Sequence, residues 1–338
     1  MDRRCVIGVD LGGTNVRAQA LFQDGTPAGH RYEQKSNAQQ GTERILDALA
    51  GVIRQATASA EQPPEAVGIA IPGHVDDDSG LVRWAPNFGY YEGEVFHYWQ
   101  DVPITQPLRQ KLGMAVTMGN DANLAALGEY QFGSGRGSAK CLVMVTIGTG
   151  IGGGVVFGPQ SLQGPVTGPV LLLGGNKGGA ELGHTIIQQN GLDCRAGTYG
   201  AIEAYCQKDA IIQRAQHKLR RGRPSLIHEM VDGDLNNLTP HLLTEACEKG
   251  DALALEVYRE VGTSLGVGLG NFINLFAPDI LAVGGQIAKA GRFLLEPAID
   301  AAENVAIPSL FADCTIRQAE HIDDAGILGG AALALQKG

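Results

Sequence analysis

Residues 5–22 and 141–157 share one layout: an apolar strand, a turn rich in glycine and threonine, and a return strand. Cys5 to Val9 leads into Asp10-Leu11-Gly12-Gly13-Thr14-Asn15 and then Val16 to Phe22. In the return segment apolar Val16, Ala18 and Ala20 alternate with Arg17 and Gln19, the period of a strand. Cys141 to Val145 leads into Thr146-Ile147-Gly148-Thr149-Gly150-Ile151-Gly152-Gly153-Gly154, with Gly154 to Phe157 as the return strand. A segment written twice in this way restricts the chain to folds built from two related α/β units. A length of 338 residues agrees with two domains.

The rest of the pattern fills in the units. A third strand is expected near His30 to Glu33. Thr42 is expected to cap a helix running to about Ala58, with Ile45, Leu46, Leu49, Val52 and Ile53 on one face. Ala66 to Ile71 is a buried strand ending in Pro72-Gly73. Ala115 to Met118 is another, ending in Gly119-Asn120-Asp121 before a helix from Ala122 to Tyr130. Further helices are expected at Ala201 to Lys218, Leu242 to Lys249 and Asp251 to about Phe276. Strands are expected at Asp279 to Val283 and Thr315 to Gln318, and a closing helix at Gly326 to Gln336. Strands alternating with helices give an α/β fold. Its expected division is a small lobe, residues 1–119 plus about 317–338, and a large lobe, 120–316. No pattern in the closing helix dictates its expected return to the small lobe.

Bulk properties exclude several classes. The net charge of −10 argues against a nucleic-acid surface. The basic run Lys218 to Arg223 reads as a solvated face. The 48 glycines follow no period, which excludes fibrous folds. The N-terminus does not read as a signal peptide, and no run of about 18 apolar residues suggests a membrane span. The six scattered cysteines read as free thiols in a reducing cytoplasm.

Chemistry concentrates at four places. In the first turn, Gly12 and Gly13 let backbone N–H groups approach a phosphate, and Thr14 adds a hydroxyl. Asp10 would repel that phosphate unless Mg²⁺ lay between them. A plain Gly-Gly hairpin turn accounts for the same residues equally well. The second turn holds five glycines in seven residues, more than a hairpin needs, flanked by Thr146 and Thr149. Two such loops on duplicated lobes suit one ATP held by its phosphates across a cleft. The third place is Asn120-Asp121-Ala122-Asn123, where Asp121 is either a helix cap or a base toward a sugar hydroxyl. The fourth is Gly178 to His184 with Glu203; Glu and His suit vicinal hydroxyls, though structural roles are common for such residues.

Together these segments resemble the ROK family (repressors, open reading frames, kinases), in particular its bacterial glucokinase-like members. Gly68 with Pro72-Gly73, Gly284-Gly285, Asp324-Ala325-Gly326 and Gly330-Ala331-Ala332 match as well. The resemblance implies the two-lobed actin-like ATPase fold, a duplicated ribonuclease H-like unit with a cleft between lobes. It implies a cytoplasmic glycolytic enzyme, an ATP-dependent hexose kinase with Asp121 as base toward the sugar 6-hydroxyl. Asn120, Glu181, His184 and Glu203 would hold the other hydroxyls, with Asn87 a further candidate. Asp10, Gly12, Gly13, Thr14, Thr146, Gly148 and Thr149 would serve the phosphates of Mg·ATP, and Gly284 and Gly285 would pass near the adenosine. Glucose leads as substrate, followed by N-acetylmannosamine, N-acetylglucosamine, fructose and allose; polyphosphate is an alternative donor. A homodimer is expected. The family's repressors carry a helix-turn-helix before the first phosphate loop; with nine residues ahead of Asp10, no nucleic-acid partner is expected.

Two departures stand out. Many members hold a structural zinc on one His and three Cys; here His184 and Cys194 remain, while Ala196 and Ala201 stand where thiols belong. Structural zinc wants four protein ligands, so none is expected, and Cys206 reads as a buried thiol rather than a stray ligand. The second departure is an aromatic stretch, Trp84, Phe88, Tyr90, Tyr91, Phe96, Tyr98 and Trp99, open to roles in packing, a sugar pocket or a subunit interface.

Overall fold

A segment apolar on every residue needs cover on both faces, and all six residues of Ala66–Ile71 are buried. The computed structural model describes residues 3–194 and 196–337; Arg195, part of the run considered for zinc, lies outside them. Two compact units emerge. Described residues 3–138, 154–180 and 324–337 form the first, and 139–153 with 181–323 the second.

The first unit runs β1 (Cys5–Leu11), β2 (Asn15–Phe22), β3 (Pro27–Lys35), α1 (Thr42–Ala58), β4 (Ala66–Ile71), β5 (His74–Asp76), β6 (Leu81–Glu92), β7 (Val95–Pro103), α2 (Thr105–Leu112), β8 (Ala115–Asn120) and α3 (Asp121–Phe132). The second begins with β9 (Cys141–Ile147). Strand β10 (Ile151–Phe157) starts there and ends in the first unit, where it pairs with β11 (Val170–Leu171). The second unit continues with α4 (Ile202–Cys206), α5 (Lys208–Arg220), α6 (Ile227–Met230), α7 (Pro240–Glu248), α8 (Ala252–Phe276), β12 (Ile280–Gly284), α9 (Arg292–Glu303), α10 (Pro308–Ala312) and β13 (Thr315–Gln318). Helix α11 (Ala325–Lys337) belongs to the first.

In the first unit the sheet order is β3-β2-β1-β4-β8. β1, β4 and β8 are parallel; β2 runs antiparallel to β1, and β3 antiparallel to β2. The carboxyl ends of the three parallel strands therefore lie along one sheet edge, bringing Asp10, Ile71 and Asn120 to it; Ile71 pairs with Asn120. α1 covers the sheet with Ile45, Leu46, Leu49, Val52 and Ile53, all buried as its period requires. α11 covers β1 and β4. That approach is close: a Cβ built on Gly68 would lie 1.9 Å from Gly330 O, and one on Gly330 2.4 Å from Gly68 O.

In the second unit β9, β12 and β13 are parallel, with Thr146 opposite Gly284 near their carboxyl ends. Asp251 caps α8 by accepting from Ala254 N at 2.8 Å. The single helix expected from Ala201 to Lys218 is instead α4 and α5. The chain is extended at Gln207 (φ −69°, ψ 163°), and Lys208 N donates to Gly148 O at 2.9 Å, tying the break to the glycine loop.

The unit boundaries differ from the expected division. Residues 120–138 join the first unit because α3 packs on α11, where a Cβ on Gly128 would meet Gly329 N at 2.7 Å. Residues 154–180 join it where Gly154 lies against α3, a Cβ there falling 2.6 Å from Ala126 Cβ, and where Lys177 pairs with Asp77 and Asp78. Residues 317–323 join the second, because Arg317 and Gln318 pair with Ala282 and Val283.

The aromatic stretch lies in β6 and β7, which form a sheet with β5. Phe88 and Trp99 are buried with ring centroids 5.0 Å apart, whereas Trp84, Tyr90, Tyr91 and Tyr98 are exposed. A register shift between Ala85 and Gly89, with Asn87 at φ 65°, breaks the alternation that would have announced a strand.

Candidate active site

At the first turn Gly12 N donates to Asn15 O at 2.9 Å, which makes the reversal tight. Gly13 has no such internal reason: a Cβ there would meet nothing within 4 Å among the described residues, and its φ lies outside the left-handed region. Asp10, next to last in β1, lies opposite Arg17. Burial pushes its carboxyl above the usual range; Arg17 and Arg31 pull it back, while Asp324 and Glu33 push it further up. A Cβ on Gly326 would come 2.6 Å from Asp10 Oδ1, so the start of α11 closes over this carboxylate.

Asn120 and Asp121 sit where β8 becomes α3. Asn120 is the helix cap: its Oδ1 accepts from Asn123 N at 3.0 Å, and its Nδ2 donates to Gly73 O at 2.9 Å. This leaves Asp121 as the first helical residue, with Oδ1 accepting from Ala122 N at 2.8 Å. The cap role weighed for Asp121 thus falls to its neighbour. Gly73 also meets β6, since its Cβ would lie 2.2 Å from Trp84 O. Asn87 is exposed within β6.

In the second unit the loop after β9 is held by Gly148 N donating to Gly150 O at 2.9 Å. Gly148, like Gly13, would place a Cβ in open space without left-handed strain. Glu203 Oε2 accepts from Ile151 N at 2.8 Å. Gly183 is equally close to this loop, its Cβ falling 2.1 Å from Ile151 O. Glu203 and the Glu181 to His184 turn are thus both fixed against the loop. Within that turn Glu181 is exposed and His184 half-buried, and His184 N donates to Glu181 O at 3.2 Å.

A cavity of about 680 Å³ lies beside Gly148 and Thr149. Lys208, Thr239, His241, Tyr258, Gln286 and Lys289 line it with others. Sequence reasoning missed these residues: they come from α5, α7, α8 and the turn after β12, and no motif joins them. The signal present was Gly284-Gly285, which directs the chain into Gln286. Both glycines have internal reasons. A Cβ on Gly284 would meet Met144 Cε at 2.5 Å; Gly285 has φ 79° and presses on Ile147 O at 2.3 Å. The predicted residues thus form two groups: Asp10, Gly12, Gly13, Thr14, Asn87, Asn120 and Asp121 in the first unit, and Thr146, Gly148, Thr149, Glu181, His184, Glu203, Gly284 and Gly285 in the second.

The model of the ROK family matches residues 6–337. The chain belongs to the ROK family. A glucokinase of Thermotoga maritima is 33% identical over 337 residues, covering 100% of this chain and 99% of the relative. The solved ROK family glucokinase of Streptomyces griseus, in complex with glucose and AMPPNP, aligns with a TM-score of 0.79 at 29% identity over 98% of this chain and 99% of that one. A xylose repressor of Caldicellulosiruptor bescii is 26% identical over 98% of this chain and 78% of its own length. This ROK protein has the actin-like ATPase fold and stands with the family's ATP-dependent sugar kinases.

Among the described residues of this ROK protein, His184, Cys194 and Glu203 place ligand atoms within 4.8 Å of one another, and Ala196 and Ala201 offer no donor beside them. Cys206 is fully buried, with Sγ 3.5 Å from Val261 O, and burial pushes its thiol up to about 12.

Proposed function

We propose that this chain transfers the γ-phosphoryl group of ATP to the 6-hydroxyl of a hexose, glucose foremost, with Asp121 as base. The observation that carries this is the pair of turns at Gly13 and Gly148. Both glycines follow the carboxyl end of a strand, and neither is required by backbone conformation or internal contact. A glycine with no internal reason leaves room for a ligand to reach the backbone, and successive N–H groups suit phosphate oxygens. The 680 Å³ cavity beside Gly148 and Thr149 then takes the adenosine.

Phosphoryl transfer demands positioning and charge neutralisation more than special reactivity. Asn120, fixed by its bonds to Gly73 and Asn123, holds the turn that presents Asp121. Asp121 accepts the 6-hydroxyl proton as the sugar oxygen bonds to the γ-phosphorus, the bond to the β,γ-bridging oxygen breaks, and ADP leaves. Asn120, Glu181, His184 and Glu203 hold the remaining hydroxyls, with Asn87 a further contact. Asp10 would hold Mg²⁺, which when bound neutralises phosphate charge. The reading includes a homodimer in a reducing cytoplasm, which suits the free cysteines.

The experiment is a coupled ADP-release assay with Mg·ATP against glucose, N-acetylmannosamine, N-acetylglucosamine, fructose and allose, for the parent and Asp121→Ala. Glucose should turn over fastest, and Asp121→Ala should lose about 10²–10⁴-fold in kcat while still binding sugar. Turnover of Asp121→Ala near the parent rate would rule out the base assignment.

A further inference from the structure

The loop after Gly191 is tied by side chains. Cys194 Sγ lies 3.6 Å from His184 Nδ1 and 3.2 Å from Thr198 Oγ1. The thiol is 1% exposed, so water does not compete for these contacts. The backbone holds Cys194 and Thr198 together, because Cys194 N donates to Thr198 O at 3.0 Å. Asp193 and Tyr199 bridge beside them, and Gly200 N donates to Leu192 O at 2.7 Å, so residues 192–194 pair back on 198–200 as a small hairpin. That hairpin is anchored on α4, where Tyr205 Oη accepts from Leu192 N at 2.9 Å.

We infer that Cys194, oriented by Thr198, positions His184 for the sugar in place of a metal. The direction proposed for this chain is donation from the Thr198 hydroxyl to Sγ and from the thiol S–H to Nδ1; the distances fit either direction, and the histidine tautomer decides between them. An imidazole that accepts at Nδ1 carries its proton at Nε2. Nε2–H is then a donor of fixed direction for a sugar hydroxyl oxygen. A structural zinc would instead require Cys194 as thiolate and a fourth ligand beside His184, Cys194 and Glu203, which Ala196 and Ala201 do not supply. Cys194 and Thr198 are therefore positioning residues acting through His184. The inference rests on the reading of His184 as a sugar ligand given above.

The test uses the full chain. Zinc content is measured by mass spectrometry, and the histidine tautomer by long-range ¹H–¹⁵N spectra, with the His184 signal assigned through His184→Gln. The parent should hold no stoichiometric zinc, and His184 should be the Nε2–H tautomer. Cys194→Ala should shift that tautomer signal and raise the sugar KM about fivefold, the size of one neutral hydrogen bond, with kcat near the parent value. Thr198→Val should do the same to a smaller extent, and Cys194→Ser should restore the parent behaviour. Stoichiometric zinc lost together with sugar affinity on chelation would overturn the inference, and so would a tautomer unchanged in Cys194→Ala and Thr198→Val. Should no sugar be phosphorylated, the proposed function fails, but the tautomer and metal measurements still decide this point.

Discussion

The Ile151 amide donates to Glu203 Oε2 at 2.8 Å, so one carboxylate fixes the glycine loop while serving as an expected sugar ligand. Glu203→Ala removes the acceptor and leaves Ile151 N–H without it. The expected outcome is a loss of about 10–100-fold in kcat/KM, with KM raised for both sugar and ATP. Glu203→Gln keeps an oxygen for the amide and should raise the sugar KM alone. Steady-state kinetics with each substrate varied separates the two, and equal effects of both substitutions on ATP would contradict this coupling.

Glycines in this chain have two different causes, and alanine should tell them apart. At Gly330 an added Cβ meets Gly68 O at 2.4 Å, so Gly330→Ala should destabilise the fold by about 1–3 kcal/mol in a denaturant titration. At Gly148 an added Cβ meets nothing within 4 Å among the described residues. Gly148→Ala should therefore keep the parent stability and instead raise the ATP KM about tenfold, as expected for one weakened charge-assisted hydrogen bond. A Gly148→Ala variant with unchanged ATP kinetics would remove the phosphate from this loop.

Asp10 is stored at a cost to stability. Burial raises its pKa in the folded chain above the usual 3.8, so the folded state holds its proton to higher pH than the unfolded state does. Stability from this group is full below pH 3.8 and declines as pH rises through the folded pKa. Asp10→Asn should raise Tm at pH 7 by roughly 1–3 °C, with the gain vanishing toward pH 3, and should reduce turnover if Asp10 holds Mg²⁺. Melting curves across pH check the sign, and a variant less stable than the parent at pH 7 would contradict it.

Much of this protein was legible in one dimension because local rules suffice there. The apolar pattern gave the body of α1 and β4 at Ala66–Ile71, while the cap expected at Thr42 falls to Gly41, with Thr42 the first helical residue. Repetition announced both turns. The break at Gln207 was not legible, since it depends on Lys208 N reaching Gly148 O, some 60 residues away in the chain. Nor was the aromatic hairpin, whose alternation is lost at the Ala85 to Gly89 irregularity.

The sequence by itself determined the repeated α/β unit, the chemical types at each turn and the alanines at 196 and 201, because these are properties of residues and their spacing. Only the tertiary structure decided which residue caps α3, which glycines are steric necessities and which face open space, and which residues line the cavity beside Gly148. It also set the Thr198–Cys194–His184 alignment. Those are facts about distances between segments remote in the chain, and a spacing along the backbone carries no information about a distance across a fold.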